Sequence, residues 1–139
     1  SAEALNLARR NFSTLTSKNN IQCHLGDWWS SVKSLWGEID LAVANPPYIP
    51  DSVFLKLDPM VRDHEPSLAL CGGVDGLQSS KTIIKGAKAA MSRDSWLLME
   101  HHYDQSDAII SLMSDFGFED ISYARDLEGV KRFAIGRID

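Results

Sequence analysis

With 139 residues, 44% hydrophobic and 24% charged, the chain has the make-up of one soluble globular domain with room for a sizeable core. Its formal net charge of −5 and pI near 5.3 carry the wrong sign for a protein that relies on phosphate contacts, so a nucleic-acid partner is disfavoured, although a local basic patch stays open. No apolar run reaches the length of a membrane span, and Cys23 and Cys71 lack C-x-x-C or Cys/His spacing, which argues against a membrane anchor, a zinc site and a disulfide framework. A reducing intracellular compartment is the expectation. The first predicted element is a helix from Ser1 to Phe12, with Leu5, Ala8 and Phe12 on one face and Ser1 at the N-cap. Asn19-Asn20 marks a turn, after which Ile21, Cys23 and Leu25 alternate as a short strand. Gly26-Asp27-Trp28-Trp29 opens a second helix, in which Trp29, Val32 and Leu35 or Trp36 share a face, and Gly37 stops it.

Ile39 to Ala44 is an apolar run that predicts a buried parallel strand. From Pro50 to Pro66 there is no periodicity, which suggests a functional excursion. Residues 68–71 predict a short strand before Gly72-Gly73, and residues 76–91 a helix with Leu77, Ile84, Ala87 and Met91 inward. Trp96 to Met99 predicts a strand ending in Glu100, and 105–116 a helix on Ala108, Ile109, Leu112 and Phe116, closed by Gly117. Two strands, 119–125 and 130–138, close the chain around a turn in which Asp126 and Arg132 can pair. Alternating strands and helices argue for a mostly parallel α/β sheet with one antiparallel member at its edge.

The chemistry concentrates at Asn45-Pro46-Pro47-Tyr48, directly after the strand at 39–44, where open α/β sheets bind ligands. Pro46 forces Asn45 into an extended conformation and Pro47 does the same to Pro46, so the Asn45 carboxamide and the Pro46 carbonyl are held almost fixed. Two acceptor oxygens so placed can grip one planar NH2 group, with the Tyr48 ring as an aromatic face for its π-system. Such a nitrogen is a poor nucleophile because its lone pair is delocalised. Acceptors pulling on its hydrogens favour a tetrahedral nitrogen and stabilise the positive charge that develops on it. The plain structural reading is a Pro-rich turn with a packing tyrosine, and the four letters alone do not decide between the two.

An ordered series of landmarks does. Gly26-Asp27-Trp28, Asn45-Pro46-Pro47-Tyr48-Ile49, Glu65-Pro66, Ala69-Leu70, Gly72-Gly73, Asp75-Gly76-Leu77, Leu97-Leu98-Met99-Glu100, Gln105, Gly117-Phe118 and Asp126 to Arg132 follow one another along the chain. In these the sequence resembles the release-factor glutamine N5-methyltransferases (the HemK/PrmC family) of the class I S-adenosylmethionine-dependent methyltransferases. The resemblance runs from Ser1 to Asp139 and implies the C-terminal part of one methyltransferase catalytic domain. The implied fold is a Rossmann-like class I sheet, mostly parallel with an antiparallel edge strand, and lacking its first two strands in this chain.

The resemblance also implies roles. Trp28, preferred over Trp29 on the family match alone, would pack on the cofactor adenine, and Asp27 would sit beside the adenine amine. Their plain readings are a core tryptophan and a helix N-cap. Asn45 would touch the methionine end of S-adenosylmethionine as well as the substrate amide. Pro46 and Tyr48 would complete the catalytic clamp, with Pro47 and Glu65 also on the substrate side. Gly72-Gly73 reads as loop geometry. His101 and His102 have no metal-ligand spacing, and many relatives carry Gly at the position of His102. No Gly-rich cofactor loop occurs here, nor the family's N-terminal helical domain, so a fragment of a longer protein is expected, one inactive by itself. The implied reaction of the parent protein moves a methyl group from S-adenosylmethionine to a glutamine side-chain amide of a peptide-chain release factor. Its setting would be the cytoplasm or an organelle with its own translation, any transit peptide preceding Ser1. Two alternatives remain: an amino-methyltransferase acting on adenine or guanine in DNA or RNA, and a non-catalytic fragment that at most binds a partner.

Overall fold

The computed structural model describes residues 1–15 and 20–139, in two compact units, Ser1–Ser34 and Leu35–Asp139. The first unit opens with helix α1, Ala2–Leu15. Ser1 caps it as predicted, its hydroxyl accepting from the Ala4 amide at 3.2 Å, and the helix runs three residues past the predicted end at Phe12. Residues 20–25 form no strand, contrary to the alternation of Ile21, Cys23 and Leu25. A short alternating run stays extended only against a partner edge. Among the described residues this unit contains no strand to supply one, and Ile21 and Leu25 are exposed. The predicted second helix is a 3-10 helix, Trp28–Leu35, broken at Val32. The Ser30 and Ser31 hydroxyls bond the carbonyls of Asp27 and Trp28, an arrangement that competes with the α-helical pattern. Gly37, at φ +83°, ends the segment as expected.

The second unit is a four-stranded sheet with helices. In order come β1 (Ile39–Ala44), α2 (Asp51–Phe54), α3 (Pro59–Arg62), α4 (Ser67–Leu70), α5 (Gln78–Ala90) and β2 (Met91–Glu100). They are followed by α6 (Ser106–Asp115), β3 (Phe118–Arg125) and β4 (Lys131–Ile138). The sheet order is β1-β2-β4-β3, with β1 parallel to β2 across the α5 crossover and β4 antiparallel to both its neighbours. The single reversed strand therefore lies one place in from the edge, which β3 occupies. Asp126 builds the closing turn, accepting from the amides of Glu128 and Val130 and pairing with Arg132 at 3.4 Å, as the sequence predicted.

The core lies on one face of this sheet. Ile83, Ile84, Ala87 and Ala90 of α5 and Ile109 and Met113 of α6 are buried with Leu97 and Met99 of β2, Ala134 and Ile138 of β4 and Phe118 of β3. The other face is different. Register pairs Leu41 with Trp96 and Val43 with Leu98 and, through Leu98, with Ile135, so these side chains share a side. Leu41 is 57% exposed and Val43 73%, which corrects the expectation of a buried strand at 39–44. The reason is position: among the described residues β1 pairs with β2 alone and forms an edge of the sheet.

Residues 68–71 also depart from the predicted strand. Pro66, at φ −61°, starts the short helix α4, and the Cys71 amide closes on the Ser67 carbonyl. Only Cys71 keeps a strand-like bridge, parallel to Ile49. The excursion from Pro50 holds two further short helices. The second, α3, is capped by Asp58, which accepts from the Met60 amide at 2.8 Å, with Pro59 as the first helical residue.

Candidate active site

The parallel neighbours β1 and β2 end side by side, at Ala44 and Glu100, and the Asn-Pro-Pro-Tyr loop leaves from that end. Asn45 is exposed and Pro46 is buried, so the stiff turn is rooted in the protein while its carboxamide faces outward. Asn45, Pro46, Pro47, Tyr48, Ile49, Ala69 and Leu70 line a cavity of about 130 Å³. The structure thus brings the four motif residues around one concavity. Glu65, the other substrate-side candidate, is exposed and is not among the lining residues.

Tyr48 is fixed at both ends. Its hydroxyl donates to Glu100 Oε1 at 3.2 Å, which ties the loop after β1 to the last residue of β2. Burial raises the pKa of the phenol above its ordinary value, and the neighbouring Glu100 carboxylate raises it further, so the hydroxyl stays a donor. The Tyr48 carbonyl accepts from Gln105 Nε2 at 3.0 Å. Beside the ring, His102 lies with centroids 6.1 Å apart, and Tyr103 lies 4.3 Å beyond His102. His101 is fully buried; its Nδ1 bonds the His102 carbonyl at 2.8 Å, and burial lowers its pKa.

The far side of the loop rests on the glycine turn at 72–76. The Ile49 amide donates to the Leu70 carbonyl and the Gly72 amide to the Ile49 carbonyl, both at 2.9 Å. Gly72 has no room for a side chain, since a Cβ would lie 2.8 Å from the Pro47 carbonyl oxygen. Gly76, at φ +72°, is tighter still: a Cβ there would overlap the Tyr48 carbonyl and lie 2.5 Å from Gln105 Nε2. These contacts give Gly72 a closer part in the site than the loop geometry read from the sequence, and they give a part to Gly76, which the sequence marked only as a landmark. Glu100 and Gln105 carried no role in that reading. The signal for Glu100 was its place at the end of a strand parallel to the one bearing the motif; for Gln105 it was only a place among the landmarks, with no role attached.

Asp27 and Trp28 belong to the first unit. Trp28, at φ +45°, is 40% exposed, whereas Trp29 is half-buried. The Asp27 carbonyl accepts from the Ser30 amide at 3.0 Å, so its backbone helps to build the turn at this point, and Asp27 itself is exposed. An exposed indole can stack on a purine and an exposed carboxylate can accept from its amine, so the chemistry of both suits an adenine-bearing methyl donor.

Compared with known proteins, the chain is 52% identical to the release factor glutamine methyltransferase of Prochlorococcus marinus over 96% of its length. It is 37% identical to those of Thermosynechococcus vestitus and of Coxiella burnetii, each over 99% of its length. By sequence, nearly the whole chain is similar to release factor glutamine methyltransferases. It spans about half the length of these relatives: 45% of the first and 47% of the other two. No family model matches it. A solved release-factor-specific protein-(glutamine-N5) methyltransferase from Alicyclobacillus acidocaldarius aligns with 79% of the chain at 21% identity and a TM-score of 0.47. The family name implies a methyl donor and a protein substrate. No helix among the described residues is long and apolar enough to cross a membrane.

Proposed function

We propose that this chain is part of the catalytic domain of an S-adenosylmethionine-dependent methyltransferase that modifies a glutamine side-chain amide in a peptide-chain release factor. The observation that carries this reading is the stiff Asn-Pro-Pro-Tyr loop at the carboxyl ends of β1 and β2, with Asn45 exposed beside a small cavity. Its support from relatives is their shared name over nearly the whole chain.

In this reading the Asn45 carboxamide oxygen and the Pro46 carbonyl accept the two hydrogens of the substrate NH2, and the Tyr48 ring stacks on the amide plane. Gripping both hydrogens localises the nitrogen lone pair and stabilises the positive charge of the transition state, where the binding counts. The bond to Glu100 keeps the Tyr48 ring in place, so the amide meets a preset surface. Trp28 and Asp27 would hold the adenine end of the donor and Asn45 its methionine end; when bound, that group supplies an electrophilic methyl. A methylated, positively charged amide nitrogen is acidic enough to lose its proton to water, so the clamp needs no general base. Pro47 and Glu65 stay on the substrate side as candidates. The setting is wherever release factors act, the cytoplasm or an organelle with its own translation.

The test is mass spectrometry of a release factor incubated with the full-length protein and S-adenosylmethionine. One glutamine gains a methyl group if the reading is right. A flipped nucleobase offers a similar exocyclic amine, so methylation of nucleic acid with the glutamine untouched would overturn it.

A further inference from the structure

We infer that Gln105 is a positioning residue, which sets the place of the Asn45 carboxamide by clamping the carbonyl of Tyr48; this rests on the glutamine-methylation reading above. Gln105 precedes α6 at its N-cap position, yet its side chain makes no cap bond to that helix. It is 6% exposed and its polar atoms are spent elsewhere. Nε2 donates to the Tyr48 carbonyl at 3.0 Å and to the Asp75 carbonyl at 3.4 Å, while Oε1 accepts from the His102 amide at 3.0 Å. One buried carboxamide thus joins three backbone segments: the motif loop, the glycine turn and the turn after β2. A carboxamide offers two N–H donors and a carbonyl, so no other uncharged side chain of this length can make all three bonds.

The clamp reaches Asn45 because of what lies between. Pro46 and Pro47 have fixed φ angles, which leaves the chain from Asn45 to Tyr48 fewer rotations with which to absorb a shift at one end. A displaced Tyr48 carbonyl therefore displaces Asn45. Gly76 leaves the space for this bond, a Cβ there being too close to both of its atoms.

The experiment uses the full-length protein with Gln105→Glu and Gln105→Met, assayed well below their unfolding temperatures. Glu keeps the shape and an acceptor but turns an oxygen towards two carbonyls; Met keeps the volume and loses every bond. Turnover falls on the order of tenfold to a hundredfold in both, and KM for the methyl donor rises as well, because the displaced Asn45 also meets the donor's methionine end. Burial among carbonyl oxygens raises the pKa of the introduced carboxyl, and its protonated form returns one donor to Tyr48. Activity of Gln105→Glu relative to wild type therefore recovers between about pH 8 and pH 6, whereas that of Gln105→Met does not. Wild-type turnover in both variants, or no difference between their pH profiles, overturns the inference. Hydrogen exchange at the Ile49 and Gly72 amides gives a readout without chemistry. Should the wild-type protein leave glutamine unmodified, the reading of the reaction falls. Faster exchange in the variants would still uphold the clamp, and unchanged exchange would remove it.

Discussion

Asn45 and Tyr48 stand on the same four-residue loop but are held differently, and their substitutions should separate. Asn45 is exposed, so Asn45→Ala leaves the fold intact while it removes one preorganised acceptor from the proposed transition state. The expected cost in the full-length protein is about 3 kcal/mol, or roughly a hundredfold in turnover. Steady-state kinetics beside thermal unfolding measures both; near-wild-type turnover would refute the clamp. Tyr48→Ala should be milder and Tyr48→Phe milder still, because the ring rather than the hydroxyl faces the amide plane. The hydroxyl has its own test. Burial first, and Glu100 second, raise its pKa, so the folded state favours the neutral phenol. That preference contributes stability in full below the unfolded tyrosine value of about 10, and it is lost as pH rises through the higher folded value. Ultraviolet titration of wild type minus Tyr48→Phe isolates this tyrosine. Glu100→Gln should bring its titration down, and an unmoved curve would show that Glu100 does not govern it.

Among the elements, the glycine turn makes the sharpest comparison. Gly76 and Gly37 both have positive φ, +72° and +83°, but a Cβ on Gly37 meets nothing within 4 Å, whereas one on Gly76 overlaps the Tyr48 carbonyl. Gly37→Ala should therefore cost only the left-handed backbone term, about 1–2 kcal/mol. Gly76→Ala should cost more and should also lower turnover in the full-length protein, because the motif loop must move. Urea unfolding with a parallel activity assay checks the pair. Equal losses of stability, with activity intact in both, would mean that the turn does not buttress the loop.

Over the whole chain, the main physical fact is a sheet with a core on one face only. α5 packs on β2, where Leu97 and Met99 are buried, and α6 on β3 and β4, while Leu41, Val43 and Trp96 lie exposed on the other face beside an edge of β1 that no described strand pairs with. Apolar area of that kind and a free strand edge both invite association. The 139-residue chain by itself should bind a hydrophobic dye and sediment as more than a monomer at rising concentration; a well-behaved, dye-silent monomer would contradict this. It should also bind S-adenosylmethionine weakly or not at all. One indole, one carboxylate and one carboxamide must overcome an association cost of about 4–15 kcal/mol. Calorimetric titration beside the full-length protein decides, and micromolar binding by the chain alone would mean that the donor site has been misassigned.

What the sequence determined by itself was local. The apolar run at 39–44 with its Pro-stiffened sequel, the 3.6-residue periodicity of α5 and α6, the Ser1 cap and the Asp126 turn all follow from neighbours in the chain, and each formed. So did the motif's stiffness, because a proline's φ depends on no tertiary contact. What only the tertiary structure decided was which segments had partners. Ile21, Cys23 and Leu25 alternate as well as many true strands do, but a strand exists only where another edge accepts its hydrogen bonds, and the described residues of that unit offer none. Residues 68–71 became a helical turn with a single bridge, and β4 came to lie inside β3, for the same reason. Glu100 and Gln105 lie more than fifty residues from Tyr48, and no periodicity links them to it. Their place beside the motif is set by the parallel pairing of β1 with β2, a long-range contact that local pattern does not encode.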